Sequence, residues 1–195
     1  MAIQSGSMPV DAPCSTLGRI RHMTSDSQTS DRSIRYTTLD SPLGDLLLVG
    51  HRQALSGIAF LSHAPAASML SSHWLRDDDA FAAVARQLRA YFAGELRSFE
   101  LPLAPRGTPF QQRVWTALAD IPYGSTRTYG QLAQQLGQPL AARAVGLANA
   151  RNPIPIVIPC HRLVGADGAL VGYGGGLANK RWLLALEGSA NEVPR

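Results

Sequence analysis

Residues 108–150 have the sequence TPFQQRVWTALADIPYGSTRTYGQLAQQLGQPLAARAVGLANA, and this stretch decides the fold of the second half of the chain. Thr108 precedes a proline and an apolar stripe, which predicts a helix with a threonine N-cap and proline at its first position. Thr128 predicts a second, shorter helix that Gly137 ends, and a third helix follows with Arg143 near its start. Two short helices joined by a tight turn are typical of a helix-turn-helix, whose second helix can lie in a DNA groove.

The residues before this stretch predict a smaller α+β unit. Runs of strand-forming residues separated by turn residues indicate an antiparallel meander of three strands over 34–39, 45–49 and 55–60. Apolar side chains at helical spacing from Phe81 to Phe92, ended by Gly94, predict one helix that covers the sheet.

We therefore expect an α+β protein with two folded domains. The expected organisation is a disordered tail over 1–33, an amino-terminal α+β domain over 34–100, a linker over 101–107, a mostly helical domain over 108–188 and a tail over 189–195. No apolar run approaches the roughly 18 residues that a membrane-spanning helix needs. Two cysteines, Cys14 and Cys160, are too few for a disulfide framework or a four-cysteine zinc site, so we expect a reducing, cytoplasmic location.

The net charge of +4 lies entirely in the second half of the chain. Residues 1–106 hold 10 basic and 10 acidic side chains, whereas residues 107–195 hold 8 against 4. This asymmetry favours an anionic partner, nucleic acid first, and makes the basic residues Arg151, Arg162 and Lys180 candidate DNA contacts. On charge alone, a solvated basic face is an equal alternative.

Residues 152–162 have the sequence NPIPIVIPCHR and hold the candidate nucleophile. The prolines exclude a helix, and the branched residues between them predict a buried extended segment that delivers Cys160 beside His161. An adjacent imidazole or a positive field can supply a thiolate near neutral pH. Glu187, which follows the last predicted helix, is a candidate partner to orient His161. On these residues alone, a Cys/His hydrolase and an inert buried cysteine both remain open.

The second half of the chain resembles the O6-alkylguanine-DNA alkyltransferases (methylated-DNA–protein-cysteine methyltransferases) of the stand-alone bacterial type. The resemblance rests on four stretches: AARAVG at 141–146, PCHR at 159–162, GYGGGL at 172–177 and KRWLLALEG at 180–188. Residues 34–100 are similar to that family's ribonuclease H-like amino-terminal domain, and the helical part is similar to its winged-helix-like DNA-binding domain. In that family the role of the first domain is mostly architectural.

This resemblance implies direct reversal of DNA damage, in which an alkylated base leaves the duplex stack before it reacts. The thiolate of Cys160 would then displace the base from its alkyl group, and the thioether product means that each molecule acts once. His161 would withdraw the thiol proton through a water molecule, and Glu187 would orient His161. Tyr129 would donate a hydrogen bond to guanine N3, and Asn152 would brace the active-site turn.

The resemblance also implies contacts to the flipped base and to the gap that it leaves. Arg143 would fill the vacated position in the stack, and Tyr173, Gly174 and Gly175 would line the base pocket. Gly174 stands where some members have a serine that bonds guanine O6, so we expect the pocket to accept O4-methylthymine or bulkier O6-alkyl groups.

The expected partner is double-stranded DNA that contains alkylated guanine or thymine, bound by a monomer without membrane association. We expect no metal and no organic cofactor, because Cys14 and the histidines outside the active site lack ligand spacing. The main alternative is a DNA-binding module of the same fold without an acceptor cysteine. The presence of Cys160 with His161 and Glu187 argues against that alternative.

Overall fold

The structure is a computed structural model that describes residues 33–52, 54–62 and 71–188. The two predicted tails, apart from Ser33 and including Cys14, therefore lie outside the described residues. Among the described residues, each helix is too short or too polar to cross a membrane.

The first part of the chain forms a four-stranded sheet, whose strands are β1 (Arg35–Leu39), β2 (Leu46–His51), β3 (Ala54–Phe60) and β4 (Leu75–Arg76). Their order in the sheet is β3-β2-β1-β4. β1, β2 and β3 pair antiparallel, which confirms the predicted meander, and the short β4 joins β1 in parallel. In the middle strand, three successive leucines beginning at Leu46 are all inaccessible to solvent. The sheet is therefore buried on both faces at that point.

One helix, α1 (Ala82–Phe92), covers this sheet after a 3-10 turn at Asp79–Phe81. Its buried residues Val84, Leu88 and Tyr91 belong to the same core as Leu46 and Leu48 of β2. Gly94, just beyond the helix end, has a φ of +77°, a conformation that glycine adopts without steric cost.

The second part of the chain is mostly helical. Its elements are α2 (Pro109–Ala119), β5 (Arg127–Thr128), α3 (Tyr129–Gln135), α4 (Ala142–Ala150), β6 (Leu163–Val164) and α5 (Gly176–Leu186), with β5 and β6 paired in parallel. Thr108 and Thr128 each form a capping box with the glutamine three residues later, which confirms both predicted N-caps. Trp115 Nε1 donates to Ala148 O at 2.9 Å and ties α2 to α4. The α+β fold class is thus confirmed.

Strand β3 connects the sheet to the rest of the molecule. Along the predicted linker, Leu55 N donates to Pro102 O and Ala104 N donates to Leu55 O. Further along β3, Ile58 N donates to Pro153 O at 2.9 Å. Because Pro153 precedes the cysteine segment, the sheet is hydrogen-bonded to the backbone that leads to Cys160.

Candidate active site

A strained buried turn delivers Cys160. Ile158 N donates to Ile154 O at 2.9 Å, and Cys160 N donates to Ile158 O at 2.8 Å. Pro159 between them has φ −80° and ψ 63°, the values of an inverse γ-turn. Ile156 has a φ of +75° although its side chain is β-branched, a conformation that costs on the order of 1–3 kcal/mol. Since Ile156 is fully buried, the surrounding core holds it in this conformation.

Two asparagine side chains brace this turn. Asn152 Nδ2 donates to Ile158 O at 2.8 Å, and Asn152 Oδ1 accepts from Ile154 N at 3.0 Å. This geometry fits the bracing role that the resemblance implies. Asn149, which the sequence reasoning missed, places its Nδ2 3.5 Å from Cys160 O. A polar residue on the apolar face of the third predicted helix is the signal that could have indicated it.

Glu187 is the centre of a buried charged cluster. His161 Nε2 lies 2.9 Å from its Oε1, and Arg162 donates to both carboxylate oxygens at 2.9 Å. Tyr91 donates its hydroxyl to Oε1 at 2.6 Å, and Gly124 N donates to Oε2 at 3.3 Å. Burial raises the pKa of Glu187, but the hydrogen bonds from His161 and Arg162 outweigh it and lower that pKa to about 2. Glu187 is therefore a carboxylate at neutral pH.

His161 is fully buried, and its environment favours the neutral imidazole. Burial lowers the pKa of His161, and although Glu187 acts in the opposite direction, burial prevails. A carboxylate only accepts, so the ring proton of neutral His161 lies on Nε2. His161 Nδ1 is buried and makes no hydrogen bond to any described group. A neutral ring oriented in this way presents a basic lone pair at Nδ1.

The Cys160 thiol is protonated in the protein without DNA. The residue is 4% exposed, and burial raises its pKa to about 11, against the opposing effects of a hydrogen bond from Asn152 and the charge of Lys180. The sequence shows the imidazole and the charges near this thiol but not its desolvation. The thiol proton must therefore be removed during the reaction, which requires a base.

Two of the predicted DNA contacts lie in the interior instead, and this corrects the prediction from charge. Besides its bonds to the carboxylate, Arg162 donates from Nη1 to Ile121 O. Lys180 is fully buried and donates from Nζ to Leu163 O and Val171 O. Buried cations need such acceptors, and these bonds keep both charges away from the surface. Neither side chain is available to a DNA phosphate in this structure.

Arg143 and Arg151 are exposed, as a DNA contact requires. Arg143 lies in the first turn of α4, and Arg151 directly follows the last residue of that helix. Leu147 on the same helix is 54% exposed. The second helix of the predicted helix-turn-helix therefore presents a partly basic, partly apolar face to solvent.

The glycine-rich loop, residues 172–176, lies against both His161 and the sheet. The Tyr173 ring packs edge-on against His161 at 6.4 Å and against Phe60 of β3 at 6.0 Å between ring centres. Gly175 is buried, and a Cβ there would lie 2.6 Å from the Phe60 ring, whereas Gly174 is exposed. The same Cβ would lie 2.8 Å from the Tyr173 ring, so only glycine fits at position 175 with Phe60 and Tyr173 in place.

Tyr129, at the start of α3, lies beside Gly172 of this loop. Its hydroxyl donates to Val171 O at 3.3 Å, and burial raises its pKa, so the phenol keeps its proton at neutral pH. A protonated phenol is what the implied hydrogen bond to a departing base requires. Within the described ranges, no three His, Cys, Asp or Glu side chains are grouped so that they could hold a metal ion.

Two family models match this chain. Residues 34–105 match the 6-O-methylguanine DNA methyltransferase ribonuclease-like domain, and residues 109–189 match the DNA-binding domain of the same family. The methylated-DNA–protein-cysteine methyltransferase of Mycobacterium bovis is 55% identical over 156 residues, which are 80% of this chain and 93% of the relative. The protein of that name from Methanosarcina acetivorans is 51% identical over 154 residues, 79% of this chain and 98% of the relative.

Solved structures agree with these sequence matches. The chain is similar to Mycobacterium tuberculosis OGT in complex with DNA, with a TM-score of 0.74, 54% identity, and coverage of 80% of this chain and 94% of that one. It is also similar to the O6-methylguanine-DNA methyltransferase of Pyrococcus kodakaraensis, with a TM-score of 0.53, 28% identity, and coverage of 80% and 99%.

Proposed function

The chain belongs to the 6-O-methylguanine DNA methyltransferase family, and from that premise we propose that it repairs alkylated DNA by transferring the alkyl group to Cys160. The repair is a direct reversal of damage, catalysed by a methylated-DNA–protein-cysteine methyltransferase. One observation carries the assignment of the acceptor: Cys160 directly precedes a buried neutral histidine whose Nε2 is fixed by Glu187. This arrangement supplies a base to a thiol that burial keeps protonated.

The chemistry balances without a cofactor. The sulfur of Cys160 attacks the alkyl carbon, a carbon–sulfur bond forms, and the bond from that carbon to guanine O6 breaks. The electron pair of the broken bond stays on the guanine, which then takes up a proton as His161 releases the one it accepted, so that both end neutral. The thiol proton passes to His161 Nδ1 through a water molecule, and the Tyr129 phenol donates a hydrogen bond to guanine N3 as negative charge develops there. The protein is left with a thioether, which hydrolysis does not reverse, so one molecule repairs one lesion.

Access to the base requires that it leave the duplex. The exposed Arg143 on α4 is proposed to fill the vacated position, and Arg151 to contact the DNA backbone. The flipped base would lie against Tyr173 and the backbone of Gly174 and Gly175. The substrate is proposed to be double-stranded DNA with alkylated guanine or thymine, and the protein to act as a monomer in the cytoplasm.

Radiolabel transfer tests this proposal. The protein is incubated with duplex DNA that carries O6-[³H-methyl]guanine, and the label on the protein is counted per mole. We expect one label per active molecule, located in the peptide that contains Cys160, and none with Cys160→Ala. Protein that binds the duplex without acquiring label would indicate a DNA-binding module. Label released to solvent with repeated turnover would indicate a hydrolase, and either result would refute the proposal.

A further inference from the structure

The amino-terminal part of the chain contributes one hydrogen bond to the active-site cluster. Tyr91 lies in the last turn of α1, and its hydroxyl donates to Glu187 Oε1 at 2.6 Å across 96 residues of sequence. The side chain is fully buried. Its ring is packed by Phe92, Phe99 and Tyr123, with ring centres at 5.7, 5.2 and 6.2 Å. The position of the hydroxyl is therefore fixed by the core.

This hydroxyl shares an acceptor with the proposed base. Glu187 Oε1 accepts hydrogen bonds from the Tyr91 hydroxyl, His161 Nε2 and Arg162 Nη2. Arg162 also bonds the second oxygen through Nε, so its planar fork alone is enough to orient the carboxylate. Orientation of Glu187 therefore does not require Tyr91. A hydrogen bond to Oε1 instead draws negative charge away from the oxygen that would stabilise a protonated His161.

We propose that Tyr91 acts through Glu187 to keep His161 in its neutral, proton-accepting form, by donating its hydroxyl to the carboxylate oxygen that His161 also contacts. This inference rests on the proposed function only in the use of His161 as the base. It assigns the first domain a part in the chemistry, whereas the family resemblance implied a mostly architectural role.

The sign of the effect follows from the groups that face His161. These are Glu187 and Lys180 from α5 and its end, Arg162 and Cys160 from the turn, Tyr173 from the glycine-rich loop, and Tyr91 from α1 acting through Glu187. Burial, Arg162 and Lys180 lower the pKa of His161, and Glu187 raises it. Removal of the Tyr91 hydroxyl leaves more charge on Glu187. The pKa of His161 should therefore rise.

A nitrogen-15 NMR titration of His161 tests this proposal. The protein is labelled at histidine, and the His161 signals are assigned with His161→Asn. In Tyr91→Phe, which keeps the ring packing, we expect the midpoint of the His161 titration to move up by about one pH unit. Tyr36→Phe removes a tyrosine hydroxyl from β1, outside the charged cluster around Glu187, and should leave the midpoint of the His161 titration unchanged. An unchanged or lowered midpoint in Tyr91→Phe, or an equal rise in Tyr36→Phe, would overturn the proposal.

The rate of alkyl transfer gives a second measurement. In the protein–DNA complex, the acidic limb of the pH–rate profile should move to higher pH in Tyr91→Phe. The movement should equal that of the His161 midpoint, and the Kd for DNA should be unchanged. When Tyr91→Phe is added to the Glu187→Gln variant, the acidic limb of the pH–rate profile should not move further, because Tyr91 acts through the carboxylate. A limb that moves equally in both backgrounds would contradict the proposal.

Two further provisions distinguish failure of this inference from failure of a variant to fold and from failure of the proposed function. If Tyr91→Phe fails to fold, 3-fluorotyrosine at position 91, a stronger donor, should move the His161 midpoint downward, and an upward movement would refute the inference. If the native protein transfers no alkyl group, the proposed function fails. The NMR titration still decides the role of Tyr91 in that case.

Discussion

Replacement of Arg162 by methionine is expected to destabilise the protein by about 3–5 kcal/mol, because it removes one partner of a buried ion pair. Arg162 is 6% exposed and Glu187 5%. Arg162 Nε and Nη2 each lie 2.9 Å from a carboxylate oxygen, and Nη1 bonds Ile121 O. Methionine fills much of the same volume but leaves the carboxylate and the carbonyl without these donors.

Urea unfolding at pH 7 measures the loss, with Arg151→Met as the matched control. Arg151 is exposed at the end of α4, so its loss should change the free energy of unfolding by no more than about 0.5 kcal/mol. Thermal unfolding of both variants provides an independent estimate. If the two variants unfold within that margin of each other, the buried cluster does not stabilise the fold as argued.

The dependence on pH makes this prediction sharper. The pKa of Glu187 is about 2 in the fold and 4.5 ordinarily, so the stability from its charge is complete above about pH 4.5 and is lost as pH falls toward 2. In Arg162→Met the carboxylate is less stabilised, and its folded-state pKa returns toward the ordinary value. The stability difference between native protein and variant should therefore narrow from pH 5 downward. A stability difference that stays constant over this pH range would show that the charge of Glu187 is not its cause.

Three other changes have defined outcomes. Arg143→Ala should slow repair of duplex DNA far more than reaction with the free O6-alkylguanine base, because only the duplex requires flipping; an equal loss on both substrates would exclude that role. Without DNA, alkylation of Cys160 by iodoacetamide, followed by mass spectrometry, should be slow at pH 7 and accelerate toward pH 11, since burial raises the pKa of this thiol to about 11. A fast reaction at pH 7 would contradict this. Gly175→Ala should slow alkyl transfer on the order of tenfold, because its Cβ would lie 2.6 Å from the Phe60 ring and 2.8 Å from the Tyr173 ring, and Phe60→Leu in the same chain should restore part of the rate by removing the closer contact. A second substitution that restores nothing would show that the contact with Phe60 is not the cause.

Local rules made part of this structure predictable. The caps at Thr108 and Thr128 depend on residues three positions apart, and the stop at Gly137 depends on one φ of +70° that suits glycine. The contact between His161 and Glu187 was also anticipated, although 26 residues separate them. That expectation came from the family resemblance and from the scarcity of acidic residues in the second half.

Tertiary burial explains what the sequence did not reveal. Arg162 and Lys180 were predicted to contact DNA because the sequence does not show how deeply a charged side chain is buried, and only the fold shows the carbonyls that accept their hydrogen bonds. Tyr91 appeared as one more apolar residue of the predicted α1, since its partner lies 96 residues away. Ile156 carries no local signal for a positive φ, because β-branched residues disfavour it and the surrounding core imposes it.

The burial of Arg162 and Lys180 gives the site a charge that favours the reaction. Glu187 and Arg162 neutralise each other, and His161 is neutral, so Lys180 contributes one unpaired positive charge to the buried site. Burial lowers the pKa of Lys180 to about 8, and the charge of Cys160, once the thiol is ionised, acts against that change. The same attraction lowers the pKa of the thiol. Transfer of the thiol proton to His161 leaves the net charge of the buried site unchanged, and the attraction between Lys180 and the thiolate offsets part of the cost of ionising a desolvated cysteine.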